Sequence, residues 1–238
     1  MSHPAIIRLD PRAELFPFDD YPESEIASGS RSCRGIKVHD SQGLTVGIWE
    51  AEANETNWLD YPAHEFMLVL EGEVTIIEEQ RSTTIRAGQA FVLPKGLRCR
   101  WTQAGRVRKV FMIYDLPGKA AAPAGVVVLD EAANLPPSAP PSPEVLLSAP
   151  PVQHSLDCFE EGAFSVGLWQ TTGYTRKVID FPRHELMHLI SGTVTFTDGA
   201  GRTQTFTAGD TFFVPHGTPN GWQSEGTLRK IFCIVMPA

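Results

Sequence analysis

The 238-residue sequence predicts an all-β protein built as two tandem β-barrels, each carrying a short N-terminal arm, and three observations lead there. Short runs rich in Val, Ile, Phe and Thr recur between Gly, Pro and Asp turns. The chain repeats itself over about half its length. Nothing longer than a turn or two reads as helix.

The runs come first. EVTIIEEQ, QAFVLP and KVFMIYD in the first half, and TVTFTD, DTFFVP and KIFCIVM in the second, follow one another at spacings of roughly 8 to 12 residues, the pattern of an antiparallel sandwich or barrel. DPRAELF and DEAANL are the helical candidates, each with an aspartate where an N-cap would stand.

The repeat pairs LTVGIWEAEANETNWLDYPAHEFMLVLEGEVT, from Leu44, with FSVGLWQTTGYTRKVIDFPRHELMHLISGTVT, from Phe164, without a gap. Gly47 matches Gly167, Trp49 matches Trp169, Glu65 matches Glu185 and Gly72 matches Gly192. After one extra residue in the turn DGAG the register continues, pairing Gly88 with Gly209, Trp101 with Trp222, and Arg108-Lys109 with Arg229-Lys230. Upstream, IIRLDPRAELFPF from Ile6 aligns with VVVLDEAANLPPS from Val126. The Pro-rich stretch after Asn134 therefore reads as the second copy's arm, and not as the linker its composition suggests. The expected organisation is a first unit over 1–115, a linker over 116–124 and a second unit over 125–238.

Composition narrows the function classes. Hydrophobic residues at 42% and charged residues at 20% are those of a globular chain. The runs Phe66 to Leu70 and Ile231 to Met236 are far shorter than the ~20 residues a membrane-spanning helix needs. The N-terminus MSHPAIIRLDPRAE lacks the basic start and apolar stretch of a secretory signal, so a cytoplasmic location is expected. Cys33, Cys99, Cys158 and Cys233 form no CxxC pair and read as free thiols. A net charge of -8 repels a phosphate backbone, which argues against nucleic acid as a partner.

The strand after His64 alternates Glu65, Met67 and Val69 on one face with Phe66, Leu68 and Leu70 on the other. Both faces are apolar, so both are expected to be covered. The face with Glu65 would line a barrel lumen.

HEFMLVLEGEVTI followed by AGQAFVLPKG, and HELMHLISGTVTF followed by AGDTFFVPHG, resemble the two signature segments of cupins: a Glu, six residues and a Gly, then G(x)5PxG. The endings LRCRW…VRKVFMIY and TPNGW…LRKIFCIV are similar to the ureidoglycine aminohydrolase-like branch, which also includes ethanolamine-utilisation proteins. The resemblance implies two RmlC-like jelly-roll barrels. It implies no particular reaction, because cupins host many unrelated chemistries.

Metal-dependent cupins place a HxH pair shortly before that glutamate and a histidine three residues after the PxG glycine, supplying imidazoles and a carboxylate. Here the first region reads NWLDYPAHE or KVIDFPRHE, and the second position is Cys99 or Asn220. Glu65 and Glu185 alone remain of the four ligands, so no metal site is expected and the cofactor is open. His64 and His184 adjoin the glutamates on a strand and so point to the opposite face. His188 faces away from the lumen by the same alternation, and His216 reads as a turn residue.

Glu65 and Glu185 are the candidate catalytic groups. Desolvation in a lumen would raise their pKa and ready them as general acid or base; alternatively each accepts hydrogen bonds from a neighbouring tyrosine, tryptophan or amide. Cys99 reads as a small buried thiol with no visible activating partner. Candidate ligand-binding residues are Trp49, Trp58, Tyr61, Met67, Cys99 and Trp101 in the first copy and Trp169, Phe181, Asn220 and Trp222 in the second; aromatic walls with a few polar groups describe a small-molecule pocket. The first copy has the richer set. Three function classes follow: a bicupin binding a small polar metabolite without a metal; an enzyme acting on an amino, ureido or carboxylate compound with Glu65 as general acid or base, with or without a metal held by atypical ligands; and a structural protein with plugged lumens. The missing histidines favour the first. A monomer and a homodimer both fit, since fusing two copies can satisfy a dimer contact internally.

Overall fold

The structure is a computed structural model that describes residues 4–18, 20–115 and 125–237. The expected linker over 116–124 lies outside them. The chain divides into two compact units, Pro11–Leu129 and Met1–Asp10 together with Asp130–Ala238.

In the first unit a seven-stranded antiparallel sheet runs in the order Val127–Val128, Ala90–Leu93, His64–Glu71, Val107–Tyr114, Leu44–Ala51, Cys33–Ser41 and Phe16–Pro17. A six-stranded sheet contains Ser82–Arg86, Glu73–Glu78, Arg98–Gln103, Asn54–Thr56 and Ile26–Gly29, with Leu59–Asp60 paired to Arg98–Gln103. The second unit repeats the larger sheet in equivalent strands, with His184–Ser191 between Thr211–Val214 and Leu228–Val235. Its smaller sheet has four strands, Thr175–Asp180, Pro219–Ser224, Thr193–Asp198 and Thr203–Thr207.

The cores follow from alternation. Met67 and Val69 of one sheet meet Val74, Ile76, Cys99 and Trp101 of the other in the first unit's core. Phe66, Leu68 and Val110, on the outward face of the larger sheet, are equally buried. Both faces of this sheet are thus apolar and covered, as its sequence requires.

The compact units are cut differently from the sequence repeat. Ile7–Arg8 pairs with Thr211–Val214, and Val127–Val128 pairs with Ala90–Leu93. The first strand of each arm thus completes the edge of the other copy's sheet, satisfying backbone groups that an edge leaves open. Similarity between the arms says that they do the same thing, not for which barrel they do it. The second part of each arm stays with its own barrel: Arg108 donates to the Ala13 carbonyl at 2.6 Å, and Arg229 to that of Ala133 at 2.7 Å.

The helical expectation fails in a specific way. DPRAELF and DEAANL form turns, because the Asp130 carboxylate accepts the Ala132 amide at 3.0 Å and closes an Asx turn instead of capping a helix. Two short 3₁₀ turns lie elsewhere, at Glu23–Glu25 and Pro143–Val145. No helix among the described residues is long and apolar enough to cross a membrane.

Two repeated glycines have clear causes. Gly72 and Gly192 end the glutamate-bearing strands at φ of 82° and 87°, a conformation that side chains resist. Gly47 lies beside a bulge in its neighbouring strand, and a Cβ there would strike the Ile36 carbonyl and stand 2.9 Å from the Phe111 ring. Gly47→Ala is therefore expected to cost about 1–3 kcal/mol, the usual cost of overpacking, measured by chemical denaturation; an unchanged midpoint would contradict this close approach.

Candidate functional site

Alternation along His64–Glu71 turns Glu65 into the first lumen, where it is buried. Two strands meet it there. Lys109, on Val107–Tyr114, donates from Nζ to Glu65 Oε1 at 2.8 Å, and the Tyr61 hydroxyl donates to Oε2. The ammonium also lies 3.0 Å from Met67 Sδ and 4.9 Å from the ring centroids of both Trp49 and Trp101. The two indoles stand edge to face, 6.1 Å apart. Their recurrence in both copies thus has a physical purpose, since two aromatic faces and a thioether solvate an ammonium that burial strips of water.

The second lumen repeats the pair. Lys230 Nζ donates to Glu185 Oε1 at 2.6 Å, with Met187 Sδ at 3.2 Å and Trp169 and Trp222 around the charge. Here the carboxylate's other oxygen is met by Arg183 Nε at 2.9 Å. Phe181 stands where Tyr61 stands in the first copy and has no hydroxyl, so the donor to the second oxygen has moved from one residue to another two places along.

The Arg-Lys dipeptide explains itself in this geometry. On a strand its two side chains take opposite faces; the arginine ties down the arm and the lysine enters the lumen. The sequence holds both pairs in register at 108–109 and 229–230. That repetition was the available signal for the lysines, which residue type alone does not mark as partners of a glutamate 44 or 45 residues earlier.

The expected rise in the glutamate pKa is corrected for Glu185. Burial pushes its carboxyl up, but Arg183 and Lys230 outweigh burial and hold it below its ordinary value. A folded value below the unfolded one of about 4.3 gives stabilisation that is complete above the unfolded value and lost as pH falls through the folded one. The Tm of the full chain is expected to fall more steeply below about pH 4 than that of Glu185→Gln. Parallel curves would contradict this assignment. In the first lumen it is Tyr61 whose hydroxyl is pushed far up, by burial and then by the Glu65 charge, so it stays a donor.

The two lumens differ in what fills them. A cavity of about 760 Å³ opens in the first barrel, lined among others by Trp49, Tyr61, Glu65, Cys99, Trp101 and Lys109. Asn54 and Thr56 in its lining, and Ala63 two residues before Glu65, are small. Their counterparts are Tyr174, Arg176 and Arg183. Tyr174 stacks on Trp222 at 5.5 Å, Arg176 bonds Asn220 Oδ1 at 2.6 Å, and Arg183 lies over Phe181 on its way to Glu185.

Most of the expected first-copy residues are thus brought together. Met67 sits beneath the cavity as a partner of Lys109. Trp58 is the exception: it is 39% exposed, lies outside the cavity lining, and is covered by the Arg100 guanidinium. Tyr21 and Phe18, from the arm, line the cavity and were not picked out by the repeat. In the second copy Asn220 and Phe181 are buried against the arginines, Trp222 lies beneath Tyr174, and Trp169 is partly buried. Burial and then the Glu78 charge push the Cys99 thiol up to about 11, which favours its protonated form.

His64 Nδ1 accepts the Lys95 amide, and His184 Nδ1 accepts that of His216, so both brace the turn after the PxG segment's proline and face away from the glutamates. His188 bonds Thr211 Oγ1, and His216 is exposed. Among the described residues no histidine lines the first cavity, and no three His, Cys, Asp or Glu come together. Lys109 and Lys230 already pair with Glu65 and Glu185, the carboxylates that the metal-binding pattern would use. The residues therefore do not fit a divalent cation, which would meet like charge where it needs donors.

Two antiparallel jelly-roll barrels, each with a lumenal glutamate at the start of the strand that ends in the signature glycine, define a duplicated cupin. The chain belongs to the EutQ-like cupin domain family, whose model matches twice, over residues 38–111 and 159–232. It is 28% identical to a Pseudomonas syringae pv. tomato protein of unknown function in the DUF861 family, covering 98% of this chain and 100% of that one at a TM-score of 0.80. It shares the fold of protein Ylba from E. coli, at 11% identity over 98% and 92% of the chains and a TM-score of 0.57. The same holds for a salicylate 1,2-dioxygenase from Pseudaminobacter salicylatoxidans, at 11% over 85% and 76% and a TM-score of 0.57. No curated protein matches the chain.

Proposed function

We propose that this chain is a bicupin that binds a small polar metabolite in the lumen of its first barrel. One observation carries the reading: the copies share the buried Glu–Lys pair and its two tryptophans, yet the first keeps a cavity of about 760 Å³ beside them. That volume lies in the range of small-molecule sites, and its aromatic walls with a few converging polar groups match their usual chemistry. Glu65 has both oxygens engaged, by Lys109 and Tyr61. This supports a fixed polar anchor over a general base that must take up a proton. Amino, ureido and carboxylate compounds are the ligand classes such an anchor suits.

A thermal-shift and tryptophan-fluorescence screen of the full chain against a library of these classes tests the reading. Saturable hits are expected to raise Tm by several degrees and to perturb the emission of Trp49 and Trp101. A library in which nothing binds, or whose hits act equally on a variant with the first cavity filled, would overturn it.

A further inference from the structure

The side chains that fill the second lumen carry more positive charge than the lumen balances. Arg176 lies opposite Trp222 in the strand pairing and so shares its inward face. Arg183, in the bend just before the strand, reaches Glu185 with its Nε at 2.9 Å. Lys230 completes a group of three cations, two of which, Arg183 and Lys230, meet Glu185. Glu185 forms ion pairs with Arg183 and Lys230, while no carboxylate among the described residues forms one with Arg176. Guanidinium groups do not give up their proton in proteins, so the arginines alone exceed the charge of Glu185.

The hydrogen bonds leave this excess standing. Arg176 is buried, and its donors go to neutral oxygens: the Lys177 and Asn220 carbonyls at 3.3 and 3.0 Å and Asn220 Oδ1 at 2.6 Å. Arg183 spends Nε on Glu185, and its two terminal nitrogens have no partner among the described residues. Its side chain is 36% exposed, so that edge is reachable. Tyr174, buried on Trp222, is within electrostatic reach of both guanidiniums and of Glu185, and its hydroxyl likewise lacks a partner among the described residues. A buried charge without a counter-charge is costly, and the fork of a guanidinium fits a planar or tetrahedral oxyanion.

We propose that the second barrel binds a small oxyanion, a carboxylate or a phosphate or sulfate group, on the open edge of Arg183, beside Arg176 and the Tyr174 hydroxyl. The two barrels then have different ligands: an uncluttered aromatic cavity in one, and a compact cationic seat built from the plug of the other. This site is independent of the first cavity, and its test fails or succeeds separately.

Calorimetric titration of the full chain with sodium phosphate, sulfate, acetate and succinate, against sodium chloride at equal ionic strength, provides the test. At least one oxyanion is expected to give a saturable isotherm with one site per chain, and comparison of the four identifies which group is preferred. Phe181→Tyr/Arg183→Ala gives Glu185 the hydroxyl partner that Glu65 has, removing the guanidinium while keeping the carboxylate satisfied. It is expected to weaken binding at least tenfold, as is Arg176→Thr. Arg183→Lys, which keeps the charge without the fork, is expected to weaken it as well and guards against a misfolded double variant. Heats matching chloride for all four salts, or binding unchanged in these variants, would overturn the proposal.

Discussion

Tyr61→Phe/Ala63→Arg is expected to fold normally and to bind first-barrel ligands at least about a hundredfold more weakly, or about 2.7 kcal/mol. The double change rewrites the first lumen in the terms of the second. Phenylalanine removes the hydroxyl that donates to Glu65 Oε2, and arginine supplies a new donor from the position where Arg183 meets Glu185. The carboxylate stays satisfied, so the fold keeps its polar network. The guanidinium meanwhile occupies space that a ligand needs. Tyr61→Phe alone leaves a buried carboxylate oxygen short of a donor, at a cost of about 1–3 kcal/mol. Adding Ala63→Arg is expected to recover part of that loss, so denaturation midpoints of the single and double variants should be non-additive. Binding that survives the double variant would place the ligand elsewhere.

Glu185→Gln is expected to destabilise its unit by about 3–5 kcal/mol, the range for breaking a buried pair by removing one partner. The substitution keeps the shape and deletes the charge that balances Arg183 and Lys230, both 3 Å or less from it. Glu65→Gln removes the partner of one cation, Lys109, which keeps Trp49, Trp101 and Met67 around it. It is expected to cost less. Urea unfolding followed by far-ultraviolet dichroism compares the two. A loss under about 1 kcal/mol for Glu185→Gln, or a larger loss for Glu65→Gln, would contradict the charge balance described for the second lumen.

Much of this was legible because the chain carries two copies of itself. Matched glycines, tryptophans and glutamates gave the barrels, and the two-residue period placed Glu65, Met67 and Val69 in the lumen and His64 outside it. What could not be read was partnership across the barrel. Nothing in a single strand says that Lys109 lies against Glu65, although the repeated Arg-Lys pair marked the position. Nor does the likeness of the arms say that Ile7–Arg8 and Val127–Val128 each complete the other copy's sheet.

The differences between the copies proved as informative as the matches. Asn54, Thr56 and Ala63 against Tyr174, Arg176 and Arg183 distinguish the surroundings of the two Glu–Lys pairs, yet none belongs to a motif. Their meaning is steric and appears once the strands bring them to one face. Trp58 shows the converse, an aromatic residue near the right segment whose ring ends up under Arg100 at the surface. The raised glutamate pKa expected from burial failed at Glu185 because burial was counted without the cations that accompany it.

A crystal structure of the full chain soaked in a mixture of amino, ureido and carboxylate metabolites tests the open first barrel most directly. Ordered ligand density is expected between Trp49, Trp101 and the Glu65–Lys109 pair, with the cavity retained around it. A first lumen closed by its own side chains, or ligand density found only away from Glu65, would contradict the account.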